Sequence, residues 1–286
     1  MVLNEVEARS SSIGPLETKP RTLTVTRLAI TPIKGLALHH PDAIELTDRG
    51  CVGDRLFYLV DDDGVLQSCT RNPGLFGLVA TWDAPQRRLE VSRGTDLLLS
   101  QVVEPPPRAA TVATDMWGTR TQDGFTVGGD WAELFSDVIG RPVRLVEADG
   151  LAYDVHPVTL LGTGSVARLA EEADQDIASD RFRMLVEFDG GEAHIEDTWT
   201  GRPLVLGGAT LRAGGPVKRC AATTRNPDTG AVDLQTLRLI TGYRGRQPSE
   251  LGVGANFGIY ADILEPGRVT VGDTLQVLAP DGTATS

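Results

Sequence analysis

From about Arg21 onward, short β-branched and apolar runs alternate with polar turn formers. In the first half TLTVTRLAI, DAIELT, RLFYLVD, VLQS, LVATWD, RLEVS and DLLLS are separated by the turn signals DRG, DDDG and DAPQ. Strands this short and closely spaced predict an antiparallel barrel or sandwich. The period then changes. In GGDWAELFSDVIG, residues Trp131, Leu134, Phe135, Val138 and Ile139 fall at i, i+3, i+4, i+7 and i+8, which predicts a helix with one buried face and Asp130 as its N-cap. A further strand, RPVRLVEA, leads into the polar connection ADGLAYD, which marks a loose domain boundary near residue 149.

Beyond that boundary, HPVTLLGTGSVARLAEEAD reads as a strand, a Gly-rich turn and a short helix beginning near Ser165. RFRMLVEF and PLVLGGATLRA are predicted strands, DLQTLRLITGYR holds a helix, and NFGIYADIL and TLQVL are the closing strands. Strands outnumber helices, so the expected class is mixed α/β and β-rich. Residues 1–20 are polar and without periodicity, as expected of a mobile tail. EPPPR at 104–108 is expected to form a rigid surface loop, and no internal repeat is visible.

Composition narrows the function classes. The chain has 286 residues, 41% of them hydrophobic and 23% charged, enough for one large domain or two modest ones. A formal net charge of −12 argues against a general nucleic-acid or anionic-membrane surface, since both need a broad excess of Lys and Arg. The first 20 residues carry neither a signal-peptide core nor an Arg-rich amphipathic pattern, and no later run approaches a membrane span. A cytoplasmic enzyme or binding protein is the expectation.

Three cysteines, Cys51, Cys69 and Cys220, match no zinc spacing and make a disulfide framework a poor fit. Cys51 and Cys69 lie in or beside apolar segments, as buried inert thiols do. Cys220 follows two cations in GGPVKRCAATTRNPDTG. Lys218 and Arg219 would favour a thiolate, the form that both a nucleophile and a soft-metal ligand require. Alternation along a strand would place Lys218 on the Cys220 face and Arg219 on the other. NPDTG downstream is a turn signal, with Pro227 and Gly230 reversing the chain. The residues alone leave an inert strand cysteine and a functional thiol both open. His39 and His40 in LHHPD fit a loop better than a metal pair, and no Walker loop or dinucleotide fingerprint stands out.

PVKRCAATTRNPDTG resembles the signature of the MOSC family, which includes molybdenum-cofactor sulfurase C-terminal domains and the mitochondrial amidoxime-reducing components. LAITPIKGLALHH and DRGCVGDRLFYLVDDDGVLQSCTRNPGL resemble the family's N-terminal β-barrel domain. RFRMLVEF, EDTW and NFGIYADILEPGRVTVGD resemble its catalytic half. The resemblance implies a tail (1–20), an N-terminal MOSC β-barrel domain (21–148) and a MOSC-type β-barrel domain with a few short helices (149–286), the cofactor lying in the cleft between the two domains.

It further implies a molybdenum cofactor, with Cys220 as the protein ligand to the metal. Lys34 in PIKG, Arg55 in GDRLF and Arg183 in RFRM are the implied pterin or phosphate contacts, joined by Lys218. Ser165 matches a serine at a helix start, and Asp154 an acid near the cofactor, with His156 beside it a weaker candidate. The chain departs from the family pattern at Met184 and Leu185, where Pro and Asn are usual, and at Gly162, where Ser or Thr is usual.

The implied activity is reduction of N-hydroxylated compounds (amidoximes, hydroxylamines, N-hydroxylated bases) by oxygen-atom abstraction at the Cys-ligated molybdenum. With no second cysteine cluster for an iron–sulfur centre, electrons are expected from a separate protein: a flavin reductase, a ferredoxin or a cytochrome b5-like donor. Two rivals remain at this stage, a sulfur or cofactor carrier with a persulfide on Cys220 and a cofactor-free hydrolase or transferase with Cys220 as nucleophile.

Overall fold

The computed structural model describes residues 22–105 and 111–280; the expected tail and residues 106–108 of EPPPR lie outside them. The first half runs β1 (Leu23–Leu28), β2 (Ala43–Thr47), β3 (Gly50–Cys51), β4 (Phe57–Val60), β5 (Leu66–Gln67), β6 (Leu78–Asp83), β7 (Arg88–Arg93), β8 (Asp96–Val102), β9 (Thr111–Met116), β10 (Arg120–Thr126), α1 (Trp131–Ile139) and β11 (Arg144–Ala148). The second runs β12 (Val158–Gly162), α2 (Thr163–Ala173), β13 (Val186–Asp189), β14 (Pro203–Leu206), β15 (Ala209–Lys218), α3 (Thr236–Arg244), β16 (Asn256–Glu265), β17 (Gly267–Thr270) and β18 (Thr274–Val277). The β-rich class expected from the pattern is what is found.

A closed barrel in the order β1-β13-β12-β16-β15-β14-β18 forms one centre of the molecule. Its strand β1 comes from the first half and pairs antiparallel with β13 and β18, so the two halves are interlocked by backbone hydrogen bonds. Leu28, Val186, Phe188, Trp199, Leu204, Leu211 and Ile259 fill this barrel core. A second core gathers Ile33, Leu36, Phe57, Leu59, Leu75, Trp131 and Phe135 between the five-stranded sheet β5-β4-β11-β10-β9, the sheet β6-β7-β8 and α1. Burial of such apolar surface is the main stabilising term at both centres.

Strand β16 shows why alternation fails near the site. Gly258 sits at φ +76°, a Cβ there would lie 2.5 Å from Met184 Cε and 2.7 Å from the Leu160 carbonyl, and the β15–β16 register slips opposite Pro216 and Lys218. Only glycine accommodates that bend. Just past this slip β15 ends at Lys218, and Lys218, Arg219 and Cys220 all line the cavity described below.

Several local expectations are corrected. Asp130 is the N-cap residue of α1 as expected, but its side chain makes no capping bond: the carboxylate accepts the Gln101 side-chain amide at 2.6 Å. No Gly-rich turn separates β12 from α2; the strand passes straight into a helix that starts at Thr163, leaving Ser165 inside the first turn. RFRMLVEF is not one strand. A 3-10 turn spans Ser179–Phe182, Arg183 takes a left-handed conformation, and β13 begins only at Val186. The bend is anchored by Arg181, which makes two hydrogen bonds to the Asp233 carboxylate at 2.7 and 2.8 Å. Strands β9, β10 and β17 were not foreseen.

Candidate functional site

Between the two cores lies a cavity of about 390 Å³. The first half contributes Lys34, Gly35, Arg55, Cys69, Thr70 and Trp117; the second contributes Asp154, His156, Arg181, Phe182, Arg183, Met184, Lys218, Arg219, Cys220 and Tyr260 among others. Six of these side chains are cations and one is a carboxylate, in a chain whose formal charge is −12. Burying that many like charges is unfavourable unless fixed carbonyls or a bound anion compensate.

The cations divide by partner. Lys34 is buried and its ammonium meets the Asp154 carboxylate at 2.7 Å and the Ala152 carbonyl at 2.7 Å. Arg55, at φ +50°, pairs with Asp54 and reaches the Arg183 carbonyl at 3.2 Å. Arg181 is committed to Asp233. Arg183 donates to the Leu36 carbonyl at 2.6 Å, Lys218 to the Leu251 carbonyl at 2.7 Å, and Arg219 to the Phe182 carbonyl. Among the described residues, none of these last three has a carboxylate in ion-pair range. They are positive charges held by neutral carbonyls and open to an anion.

Burial shapes their protonation. It lowers the Lys34 pKa, with Asp154 offsetting part of the effect. Burial also works to raise Asp154, but the Lys34 ammonium, followed by Arg55 and the Trp117 indole N–H, outweighs it and holds the carboxyl at about 2. Asp154 is thus a permanently charged strut between Lys34 and Trp117, whose N–H donates to it at 2.8 Å.

Cys220 is the one exposed cysteine among the described residues; Cys51 and Cys69 are buried, and burial raises both of their pKa values. The Cys220 thiol stands 3.7 Å from the Thr70 hydroxyl. Its own carbonyl accepts the Thr223 hydroxyl at 2.9 Å and the Thr223 N–H at 3.2 Å, which pins the residue at the start of the 3-10 turn Ala221–Thr224. Downstream, the Asn226 side-chain oxygen accepts the Asp228 and Thr229 N–H groups at 2.9 and 3.1 Å, the local turn that NPDTG announces.

Six of the seven residues singled out from sequence, Lys34, Arg55, Asp154, Arg183, Lys218 and Cys220, line this cavity. Ser165 does not: it is fully buried in the first turn of α2, donating to Glu196 at 2.8 Å and accepting the His194 N–H at 2.8 Å. Arg219 was assigned to the far face and lines the cavity instead, because β15 ends at Lys218 and strand alternation no longer applies. Trp117, at φ +61° on the β9–β10 turn, carried no signal in the sequence. Cys69, read as buried and inert, is buried but also borders the cavity. Of the three departures, Met184 lines the cavity and its sulfur accepts an Arg219 hydrogen at 3.4 Å, Leu185 belongs to the barrel core, and Gly162 is the N-cap residue of α2.

These residues fit a soft-metal cofactor that carries an anionic group. One accessible thiol supplies a single soft ligand, three cations lack carboxylate partners, and the buried Nε of Arg219 has no acceptor. Among the described residues, no group of three His, Cys, Asp or Glu side chains could hold a metal ion, so most of a metal's coordination sphere would come from the cofactor itself. No helix among the described residues is long and apolar enough to cross a membrane.

Residues 22–142 match the MOSC N-terminal beta barrel domain and residues 148–276 the MOSC domain. The chain is 26% identical to mitochondrial amidoxime-reducing component 1 of Homo sapiens over 284 residues, covering 89% of this chain and 83% of that protein. It is 31% identical to the human mitochondrial amidoxime reducing component 2, covering 87% and 82%. The molybdenum cofactor sulfurase of Drosophila erecta is 25% identical over 84% of this chain but only 32% of its own length.

Proposed function

Because the chain belongs to the MOSC family, with both of that family's domains in order, we propose that it binds a molybdenum cofactor in this cavity and reduces N-hydroxylated compounds. The observation that carries the proposal is the meeting of one exposed thiol with Arg183, Lys218 and Arg219, three cations held only by neutral partners. The relatives named as amidoxime-reducing components supply the reaction class.

Cys220 would hold the metal: the end of β15 and the Thr223 contacts fix its backbone, and Thr70 stands beside the sulfur. Arg183, Lys218 and Arg219 would hold the phosphate through charge-assisted hydrogen bonds. The Lys34–Asp154–Trp117 chain keeps the opposite wall in place and charged. When bound and reduced by two electrons, the cofactor supplies the electron pair that, with two protons, converts an N–OH group into N–H and water. Phe182, Met184 and Tyr260 offer an apolar wall for the body of the substrate, which orients the N–OH group toward the thiol side of the cavity. Electrons would come from a separate flavin reductase, ferredoxin or cytochrome b5-like protein.

Metal and pterin analysis of the purified protein, combined with turnover of benzamidoxime by chemically reduced protein, tests this reading. Molybdenum and pterin in equal amounts with turnover are expected, and both metal ligation and turnover should be lost in Cys220→Ser. Purified protein that carries a persulfide on Cys220, or that turns over no N-hydroxylated compound when loaded, favours the carrier reading instead.

A further inference from the structure

Of the four tryptophans, three bury their rings inside the protein. Trp199 belongs to the barrel core and Trp131 to the second core, while Trp82 packs against the second core and meets Phe57 in a T-shaped contact with centroids 5.2 Å apart. Trp117 does none of this. It is 40% exposed and lines the cavity, and among the described residues it joins no hydrophobic cluster and pairs with no other aromatic ring. A large aromatic surface with no apolar partner in the fold is left for something that enters the cavity.

The indole is also held in place. The Met116 carbonyl accepts the Thr119 N–H at 3.1 Å, and the two residues between them, Trp117 and Gly118, have φ of +61° and +79°. Asn, Asp or Gly usually opens such a turn, and a tryptophan in left-handed backbone is strained, persisting only where its surroundings fix it. Asp154 does the fixing: its carboxylate accepts the indole N–H at 2.8 Å and its carbonyl accepts the Thr119 hydroxyl at 3.0 Å. With the N–H engaged, the two π faces remain. The Arg71 guanidinium stands over the ring at 5.8 Å from its centroid. Arg71 directly follows Thr70, whose hydroxyl is 3.7 Å from the Cys220 thiol, so the indole adjoins the segment that touches the sulfur.

We propose that the free face of Trp117 is a stacking platform for planar substrates, which makes the cavity select aryl and heteroaryl N-hydroxylated compounds over aliphatic ones; this rests on the reductase reading above. A flat ring laid on an indole gains dispersion and quadrupole attraction that an alkyl group of the same functional class does not match. Because Asp154 already fixes the indole, little ordering entropy offsets that gain on binding.

The test compares benzamidoxime with acetamidoxime, which share the reacting group and differ by the ring, on molybdenum-loaded protein reduced with methyl viologen. The ratio of their kcat/KM values should fall about 10-fold in Trp117→Leu, the upper end of what an aromatic pair adds, with the loss lying in KM for benzamidoxime. Trp117→Phe keeps a ring without the N–H and should keep most of the ratio. A second readout needs no turnover: calorimetry on oxidised protein should show the same drop in affinity for benzamidine, the product of the aryl substrate, and none for acetamidine. Molybdenum and pterin contents should match the wild type in both variants. Equal changes for the two amidoximes in Trp117→Leu would make Trp117 a wall strut only, loss of pterin in that variant would assign the ring to the cofactor, and a ratio that falls as far in Trp117→Phe as in Trp117→Leu would exclude stacking. Each of these results overturns the platform while the reductase reading stands. Loaded wild-type protein that reduces neither amidoxime overturns both.

Discussion

Cys220 and its cationic neighbours are separated in sequence from Lys34 and Arg55 by more than 160 positions, yet each side chain's role follows from its immediate partners. Arg183 and Lys218 are tied only to carbonyls, so Arg183→Ala or Lys218→Ala should leave the fold intact and weaken pyrophosphate binding to the cofactor-free protein. A charge-assisted hydrogen bond contributes about 1.5–3 kcal/mol, roughly 10- to 100-fold in affinity, readable by calorimetry. Asp154 makes a different prediction. Its pKa is depressed from 3.8 to about 2, so its stabilising contribution is complete above pH 3.8 and is lost as pH falls toward 2. Asp154→Asn should flatten that part of the acid-unfolding curve. His194 carries the same sign in a higher window. Burial first, then Arg244 and Arg168, lowers its pKa from 6.5 to about 4, so the unfolded chain takes the proton first and stability falls as pH drops from 6.5 to 4. His194→Gln should remove this slope, as acid titration of the melting temperature would reveal. The cavity-lining cations Lys34, Arg55 and Arg183 were legible through family motifs; Arg219 was not, because its orientation depends on where β15 stops.

At the scale of elements, strands with apolar alternation were legible and strands with polar interiors were not. β6 and β7 bury Leu78, Ala80, Leu89 and Val91 in strict alternation. β9 and β10 instead turn Thr114 and Gln122 inward, so the period of two is present in space but hidden in composition. The same hairpin shapes the site: Arg120 donates to the carbonyls of Leu151 and Tyr153 at 2.9 Å each and stacks 4.2 Å from the Tyr153 ring. Arg120→Ala should loosen the segment carrying Asp154 and His156, costing about 1–3 kcal/mol of stability and raising hydrogen exchange at residues 151–156. In β16, Gly258→Ala would force a side chain into left-handed backbone against Met184 and the Leu160 carbonyl. It should cost about 1–3 kcal/mol, seen as a lower denaturant midpoint, and should displace the end of β15.

For the molecule as a whole, interlocking decides what can fold alone. Residues 149–286 lack β1, and without it β13 and β18 present open edges where the barrel closes. A fragment beginning at residue 149 should therefore show no cooperative melting transition by circular dichroism, whereas the chain from residue 22 should. The sequence by itself determined the β-rich class, the helix over Trp131–Ile139 and most of the charged residues that line the cavity with Cys220. These rest on local periodicity, turn chemistry and motif, each readable within a few residues. Only the tertiary structure decided that β1 completes the second half's barrel, that Ser165 is buried against Glu196 and not at the cavity, and that Arg219 and Trp117 face the same space as the thiol. Those outcomes depend on strand pairing between distant segments and on a register slip at Gly258. Both are set by the global balance of buried surface and satisfied backbone hydrogen bonds, which no short window of sequence contains.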